Sequence, residues 1–591
     1  MENNGKTFNS LDANIKMDIE DSQESKTKIS GYIYLLTCFA TVGGLLFGYD
    51  TGIVSGSLLL IGDEWSLSTI WREAIVSATI GAAAISALVA GYLADKFGRK
   101  KVIMAASLIF TAGAVVMGSS ANKEMLLVGR LIVGIGIGFA SMVVPVYVAE
   151  SAPSSIRGRL VTLNQVFITV GILVSSIVAG LFSKNKETGW RWMLGLAGVP
   201  SIVQFIGFLW LPETSRWLTA NGRDDEARET IDKIHGPQYV DEEFNEISKM
   251  VMQQEKDKEE NPSKIYVYKK IFTTQPVRRA LFLGCGLMFF QQMCGINTVI
   301  YYSASILRMA GFPSELAIWL VCVPNAVNFL CTFIGIWLVE RVGRRMLTIV
   351  STLGVVMALV VLGIGFQLSS INTPGVSLIE VDDYCSQFRT CEPCTDNSNC
   401  GFCYIGGEEK TSGSCLHLSE DGPERFANLS SVRCGEPNQK SGTYEWADSY
   451  CPTDYSWMAV LGLALFVMGF APGLGPMPWT INAEIYPLWA RSTATSIATA
   501  VNWGCNLIIS LTFLTLTEHI TKYGTFYLFT GICGLGVIFM MAFLPETKNR
   551  TLEEMELVFM SKEYRHKQRN KTSENHDTKL NQISEIHDTK L

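Results

Sequence analysis

Long apolar stretches separated by short polar breaks run through most of this chain. No charged residue occurs from 160 to 183, from 346 to 379 or from 492 to 517. About 20 apolar residues carry a helix across the hydrocarbon core of a bilayer, so such stretches predict membrane spans. The pattern predicts twelve spans, at residues 31–56, 72–94, 102–121, 125–149, 161–183, 190–211, 279–305, 313–339, 346–370, 457–483, 492–516 and 524–544.

The predicted spans form two halves of six, because a charged segment separates the first six from the rest. That segment spaces Ile, Met and Val helically among its charges, which predicts short amphipathic surface helices. Three motifs recur in the same order in both halves, the pattern of transporters that rock one half against the other. The sequence therefore predicts an all-α integral membrane protein with two six-helix repeats. The paired motifs are 91–101 with 335–345, Glu150-x-x-Pro153-x-x-x-Arg157 with Glu484-x-x-Pro487-x-x-x-Arg491, and Pro212-Glu213-Thr214 with Pro545-Glu546-Thr547.

Basic residues in the short loops predict the orientation. Arg99, Arg157 and Arg344 follow even-numbered spans, and positively charged loops stay in the cytoplasm. Both termini are therefore expected in the cytoplasm, and the loop after the ninth span outside. The predicted units are a cytoplasmic N-terminal tail (1–30), a first half (31–211), cytoplasmic linker helices (212–278), a second half (279–370 and 457–545), an extracellular Cys-rich loop (371–456) and a cytoplasmic C-terminal tail (546–591).

Charge and composition exclude several functions. The 591 residues include 48 Lys and Arg and 55 Asp and Glu, a net charge of -7. Their concentration in a few segments excludes a soluble globular enzyme, and the lack of an overall basic surface argues against a nucleic-acid partner. The sequence contains no phosphate-binding loop of the G-x-x-x-x-G-K-[ST] type, so no ATP coupling is expected. No cofactor or metal is expected either.

The loop at 371–456 is rich in cysteine. It contains eight of the fifteen cysteines, and an even number in an oxidising compartment predicts four disulfides, for which 105 connectivities are possible. The two C-x-x-C pairs could instead hold zinc. Asn428 begins a glycosylation sequon on the expected outer side. The cysteines are Cys385, Cys391, Cys394, Cys400, Cys403, Cys415, Cys434 and Cys451.

Asp50 is the acidic residue that stands apart from the loops. It lies well inside the first predicted span, and Arg130 lies at comparable depth in the fourth. An ionisable group inside a span costs several kcal/mol unless it is neutralised, paired or wetted, so each such group is a functional candidate. No histidine lies inside a predicted span, which leaves Asp50 as the candidate proton carrier. The alternative is a permanent salt bridge that only packs two helices.

Side-chain amides are concentrated in a few predicted spans. Amides donate and accept hydrogen bonds at once, as hydroxyls do, and an indole face covers the C–H side of a ring. Together they suit a neutral polyhydroxylated ligand. The alternative is hydrogen bonding between helices, worth about 0.6 to 2 kcal/mol each. The residues are Asn164, Gln165, Gln291, Gln292, Asn297, Asn325, Asn328, Asn502 and Asn506, with Trp479 as the indole.

Several motifs together resemble the sugar porter family of the major facilitator superfamily. They are Gln291-Gln-Met-Cys-Gly-Ile-Asn297, Gly475-Pro-Met-Pro-Trp479, Pro212-Glu-Thr-Ser-Arg216 and Pro545-Glu-Thr-Lys-Asn549. The Cys-rich loop is similar to a PSI module. Because it has this loop after the ninth span, the chain resembles one group within the family, the proton myo-inositol cotransporters. Met293 and Cys294 depart from the usual Leu-Ser, which leaves fine substrate preference open.

The resemblance implies a symporter that carries protons and myo-inositol, or a related polyol or hexose, into the cytosol by alternating access. It further implies a plasma-membrane protein that functions as a monomer, with an outer loop able to bind another protein. It assigns the proton to Asp50, with Arg130 as its partner, and the closing of the outer gate to Tyr301 and Tyr302. The implied substrate-binding residues are Gln165, Gln291, Gln292, Asn297, Asn328, Trp479 and Asn502.

The charged residues at the cytoplasmic ends of the spans are predicted to form a latch. They would pair when the inner side is shut and separate when it opens. Other readings remain open: a facilitative hexose uniporter, a nutrient sensor that does not transport, or a surface-adhesion protein. The predicted pairs are Asp95 with Arg99, Glu150 with Arg157, Glu340 with Arg344, and Glu484 with Arg491.

Overall fold

A computed structural model describes residues 31–153, 156–260, 264–376, 384–397, 399–405, 412–418, 434, 444–447, 450–548 and 552–560. Within those ranges twelve helical segments are long and apolar enough to cross a membrane, which confirms the predicted number. We number them spans 1 to 12. They are Gly31–Glu64, Thr69–Phe97, Arg99–Gly118, Lys123–Ser151, Arg159–Phe182, Gly189–Trp210, Gln275–Met309, Ser314–Val339, Arg344–Ile371, Ser456–Glu484, Trp489–His519 and Lys522–Phe543.

Some spans are broken into shorter helices, which the apolar pattern does not predict. Span 7 consists of Gln275–Met293 and Ile296–Met309, separated by Gly295 at φ 90°. Such a backbone conformation favours glycine, which has no Cβ. Span 10 consists of Ser456–Gly469, a π-helical turn at Phe470–Leu474 and the helix Met477–Glu484. Span 6 divides into Gly189–Gly195 and Gly198–Trp210, and span 8 into Ser314–Leu320 and Cys322–Val342.

Glycines allow spans 1 and 5 to pack at close range. A Cβ on Gly48 would lie 1.9 Å from the carbonyl oxygen of Ile168, and one on Gly171 would lie 2.3 Å from that of Leu45. Small residues at such crossings let helix backbones approach, which is how helices associate in a bilayer. This crossing fixes the position of span 1, which carries Asp50.

The two halves meet mainly through spans 1 and 7, spans 2 and 11, and spans 5 and 8. We call the side of the bundle where span 2 begins and span 11 ends the insertion side, because the Cys-rich insertion follows span 9 there. The opposite side, with the clusters around Arg99 and Arg344, is the basic side. Asp63 and Arg308 connect the halves on the insertion side at 2.8 Å.

The insertion is a small sheet fixed by disulfides. Its strands are β1 (Gly375–Val376), β2 (Cys400–Ile405), β3 (Ser412–His417) and β4 (Tyr444–Ala447), in the order β1-β3-β2-β4. β2 is antiparallel to both β3 and β4, and β1 is parallel to β3. The 3-10 turn Tyr384–Gln387 and the helix Cys391–Asp396 complete its described part.

Four disulfides bind this insertion together, as predicted. The members of each C-x-x-C pair belong to different disulfides, so the zinc interpretation is wrong, and no metal-binding cluster occurs among the described residues. Asn428 lies outside the described residues. The bonds are Cys385–Cys400, Cys391–Cys451, Cys394–Cys415 and Cys403–Cys434.

The insertion is attached to the second half of the bundle. Glu392 accepts a hydrogen bond from the hydroxyl of Ser370, in span 9, at 2.7 Å. The Nζ atom of Lys522, at the start of span 12, lies 3.9 Å from the same carboxylate. Glu392 therefore holds the insertion against two spans of one half.

Short helices on the basic side follow spans 6 and 12. The linker forms Ser215–Ala220, Asp224–His235, the 3-10 turn Pro237–Tyr239, Val240–Glu260 and Lys264–Thr273. Leu552–Phe559 follows span 12, and its Phe559 carbonyl accepts a hydrogen bond from Arg279 at 3.3 Å. The tails at 1–30 and 561–591 lie outside the described residues.

Candidate functional site

Asp50 and Arg130 form a buried ion pair between spans 1 and 4. The Nη1 atom of Arg130 lies 2.7 Å from Oδ1 of Asp50, and the two residues are only 3 % and 2 % exposed. Span 2 positions the arginine, since Nε of Arg130 donates to the carbonyl of Ile75 at 3.2 Å and the Thr79 hydroxyl donates to the Arg130 carbonyl at 3.1 Å. The structure thus brings together the two residues of the predicted proton site.

The ion pair lines a recess that both halves enclose. The recess lies between spans 1, 2, 4, 7 and 11. Tyr301 and Trp503 contribute a wall from the second half, and Trp503 also contacts Phe47 with ring centroids 6.3 Å apart. The ion pair therefore lies at the interface between the two halves.

Four of the predicted binding amides form one hydrogen-bonded cluster. Asn502 donates to Oε1 of Gln291 at 2.8 Å and accepts from Nε2 of Gln292 at 3.0 Å. Asn297 in turn donates to Gln292. Gln291 also donates to the carbonyl of Leu474 at 3.1 Å, in the π-helical turn of span 10. The interruptions of spans 7 and 10 therefore meet at this cluster.

The other three predicted binding residues lie elsewhere in the described structure. Gln165 in span 5 is exposed, and Trp479 in span 10 is 43 % exposed. Asn328 is buried in span 8 and 6 % exposed. The exposed amide and indole belong to opposite halves.

The two predicted gate tyrosines lie in the second helix of span 7. Tyr301 lines the recess beside Asp50. The Tyr302 hydroxyl donates to the carbonyl of Ser510 at 2.8 Å. Two residues further along, the backbone N–H of Ala304 donates to the Ser55 hydroxyl of span 1 at 2.9 Å. This helix therefore packs across the contact between the halves.

Each predicted latch carboxylate of the first repeat pairs with Arg99. The Nη2 atom of Arg99 lies 3.1 Å from Asp95, its predicted partner. The same atom lies 3.1 Å from Glu150, for which Arg157 was the predicted partner. Thr214, from the Pro-Glu-Thr motif, donates to Glu150 at 2.8 Å. The side chain of Arg157 lies outside the described residues.

The second repeat builds the same arrangement. Arg344 lies 3.1 Å from Glu484, where Arg491 was the expected partner, and Thr547 donates to Glu484 at 2.6 Å. The side chain of Glu340 lies outside the described residues. In both repeats an ion pair joins helices of one half, and the arginine that contacts the glutamate belongs to a neighbouring motif.

A second carboxylate of each repeat receives the backbone N–H groups of a helix start. Glu213 accepts from Arg99 and Lys100 at 3.0 Å each, and Glu546 accepts from Arg344 at 2.9 Å and Arg345 at 3.1 Å. Such groups attract negative charge. Burial raises the pKa of Glu213 above its usual value despite these bonds. Burial acts in the same direction on Glu546, but hydrogen bonds from the backbone of Lys548, Arg344 and Arg345 outweigh it and lower the pKa.

The contacts that join the halves on the insertion side were not predicted from the sequence. They include Asp63 with Arg308, and Glu73 with Thr515. Glu73 lies inside the predicted span 72–94, and a carboxylate in a span was the available signal. Its partner is a neutral residue far along the chain, which no local pattern reveals. With these contacts made, the structure is closed on the insertion side.

Comparison with known proteins places the chain among transporters. The family described as sugar (and other) transporter matches residues 36–381 and 443–559. The proton myo-inositol cotransporter of Homo sapiens is 46% identical over 545 residues, 91% of this chain and 83% of that protein. A proton myo-inositol cotransporter of Caenorhabditis elegans is 38% identical over 92% of this chain and 93% of its own length.

A solved structure supports the same architecture. That of the major facilitator superfamily proton:xylose symporter XylE, bound to a bromodeoxyglucose, has a TM-score of 0.63 and 24% sequence identity. The match covers 90% of this chain and 99% of XylE. It establishes the fold, twelve helices in the arrangement of that superfamily.

Proposed function

The chain belongs to the sugar transporter family, and on that premise we propose that it is a proton-coupled symporter of myo-inositol or a closely related polyol or hexose. It is a membrane transporter and no enzyme. The relatives named as proton myo-inositol cotransporters support the substrate class and the coupling ion. The proton is the only coupling partner that this function needs, and no cofactor takes part.

The buried ion pair of Asp50 and Arg130 is the observation that carries the proposal. Burial disfavours a charged carboxylate, and a neighbouring guanidinium favours it. A movement that separates the two groups, or admits water to their recess, therefore changes the affinity of Asp50 for a proton. Because Tyr301 and Trp503 close the recess from the second half, the same rocking that moves substrate controls this affinity.

Coupling to the membrane potential follows from this cycle. Asp50 takes up a proton from one side, Arg130 is released, and the proton leaves on the other side together with the solute. Each charge that crosses the membrane gains about 2.3 kcal/mol per 100 mV. That free energy is enough to concentrate a neutral solute.

The amide cluster is the proposed substrate site in the second half. Gln291, Gln292, Asn297 and Asn502 offer donors and acceptors in alternation, which suits a ring that carries a hydroxyl on every carbon. We assign the remaining contacts to Gln165, Asn328 and Trp479, which a closing movement would bring toward the same solute. Tyr301 and Tyr302 would close the insertion side over it.

We further propose that the insertion side faces outward and the basic side the cytosol. Basic loops on one side of a bundle support this orientation. The chain would then lie in the plasma membrane with both termini inside, work as a monomer, and present the insertion to other proteins. The pairs Arg99–Glu150 and Arg344–Glu484 would hold the cytosolic ends of each half.

Electrical recording in cells that express the protein tests the coupling. Myo-inositol applied at acidic external pH should produce an inward current that increases as the inside of the cell becomes more negative. Glucose should produce a smaller current. Asp50→Asn should abolish uphill accumulation and retain downhill exchange of labelled myo-inositol. Full accumulation in that variant, or uptake that ignores pH and voltage, would contradict the proposal and favour a facilitative carrier.

A further inference from the structure

A second buried carboxylate joins the halves on the insertion side. Glu73 lies near the start of span 2 and is 3 % exposed. One of its oxygens accepts the backbone N–H of Thr515 at 2.9 Å, and the other accepts the Thr515 hydroxyl at 2.7 Å. Thr515 lies in span 11. Both hydrogen bonds therefore cross from the first half to the second.

These bonds need spans 2 and 11 to lie against each other on the insertion side. A buried carboxylate needs hydrogen bonds to replace the water it has lost, and bonds to a charged acceptor are stronger than those between neutral groups. Separation of spans 2 and 11 would break both bonds at once and return the carboxylate to water. We propose that Glu73 is a positioning residue of the transport cycle, which holds the insertion side closed through Thr515.

The position of Glu73 links this closure to the proton site. Val76 and Thr79 follow it on the same helix and line the recess of Asp50. At a rise of 1.5 Å per residue, Thr79 lies about 9 Å further into the bundle. Loosening span 2 from span 11 thus opens the recess from the insertion side. The inference rests on the proposed alternating-access function and adds a residue that the Asp50 mechanism does not use.

The same two spans supply an internal comparison. The hydroxyl of Thr69 donates to Glu518, again from span 2 to span 11, but this contact is exposed. Water competes for exposed polar contacts, so they contribute little. Replacing Glu518 is therefore a control for replacing Glu73. It removes a carboxylate from the same interface without breaking a buried hydrogen bond.

A distance measurement on the full chain in lipid vesicles tests the proposal. Spin labels would be attached through Ala121→Cys, in the first half, and Glu315→Cys, in the second, both on the insertion side. Cys38 would be replaced by Ser, because it is an exposed free thiol. The unsubstituted interface should show a short and a long distance whose proportions respond to myo-inositol.

Glu73→Gln and Thr515→Val should each raise the proportion of the long distance by a factor on the order of ten, since one hydrogen bond to a charged group shifts an equilibrium by roughly that much. The two changes combined should fall short of the product of their separate effects, because both act on the bond between Glu73 and the Thr515 hydroxyl. Thr515→Ser, which keeps the hydroxyl, should retain the original proportions, and Glu518→Gln should leave them unchanged.

Unchanged proportions in both Glu73→Gln and Thr515→Val would overturn the proposal, and so would additive effects in the combined variant. If Glu73→Gln fails to fold, Thr515→Val against Thr515→Ser still decides it. A single distance that ignores myo-inositol in the parent protein would overturn the proposed function instead. The Thr515 comparison would then still show whether the contact closes this side.

Discussion

Glu213 and Glu546 hold equivalent positions in the two repeats, yet their proton affinities move in opposite directions. Each carboxylate accepts the backbone N–H groups at the start of span 3 or span 9. The pKa of Glu213 is raised because burial dominates, and that of Glu546 is lowered because hydrogen bonds outweigh burial. The repeat thus preserves the contact while the surroundings change its electrostatics.

Replacing each carboxylate by an amide should reveal this difference. Glu213→Gln should lower the melting temperature less than Glu546→Gln, because Glu213 gives up its charge more readily. Because the pKa of Glu213 is raised, ionising this buried carboxyl group costs free energy of folding. That part of the stability is lost as pH rises through the raised value. The lowered pKa means that Glu546 stabilises the fold at neutral pH and loses this effect only as pH falls through its lowered value. Thermal unfolding between about pH 3 and pH 8 measures both trends; equal losses at every pH would contradict them.

Breaking the ion pair from one side should cost more than removing it. Arg130→Met leaves Asp50 buried without its partner, and such a change destabilises by about 3 to 5 kcal/mol. Asp50→Asn combined with Arg130→Met should be less destabilised than Arg130→Met alone, since no charge remains buried. Thermal unfolding of the purified variants provides the comparison. A double variant less stable than the single one would show that the pair does not act as a unit.

The crossing of spans 1 and 5 should tolerate no added carbon. Gly48→Ala places a Cβ 1.9 Å from the Ile168 carbonyl oxygen, so the helices must separate and the yield of folded protein should fall sharply. Gly504→Ala is the matched control, because a Cβ there meets nothing within 4 Å. Fluorescence-detected size exclusion measures both. Normal yield of Gly48→Ala would mean that this crossing is looser than the structure has it.

The amide cluster should affect substrate binding more than folding. Asn502→Ala removes an amide that bonds both Gln291 and Gln292, and the KM for myo-inositol should rise roughly tenfold or more, as expected for a lost hydrogen bond to the ligand. Asn482→Ala is the contrast, since its amide bonds Gly284 and Tyr486. That variant should melt earlier and keep its KM. If Asn502→Ala lowers the melting temperature and leaves the KM unchanged, the cluster stabilises the fold and does not bind substrate.

Cutting one disulfide should separate the insertion from transport. Cys391→Ser with Cys451→Ser opens a bond that closes 60 residues of sequence separation. Such loops gain roughly 4 kcal/mol from their disulfide, so protease should cleave the insertion more readily. Uptake of labelled myo-inositol should persist, because the pair lies apart from Asp50 and the amide cluster. Lost uptake with normal surface expression would show that transport needs the intact insertion.

The elements that composition determines were predictable, and those that depend on contacts between distant segments were not. Apolar length alone identifies a span, although the first helix runs on to Glu64, beyond the predicted end at 56. The approach of Asp50 to Arg130 was predictable because a charge in lipid needs a partner. Eight cysteines implied four bonds but could not specify which atoms meet.

The remaining site geometry depends on interruptions and on tertiary pairing. The π-helical turn of span 10 brings the Leu474 carbonyl to Gln291, which no periodicity in the sequence indicates. Glu150 pairs with Arg99 across two spans, although spacing along one helix favoured Arg157. A helical pattern identifies neighbours on its own helix and is silent about the helix beside it.

The attachment of the insertion through Glu392 has a practical consequence. Since Ser370 and Lys522 both belong to the second half, the insertion is expected to move together with that half. A bulky fluorophore or binding protein placed on its sheet would follow the motion of the second half without linking the two halves together. The insertion is therefore a suitable attachment site for a label in single-molecule measurements of transport.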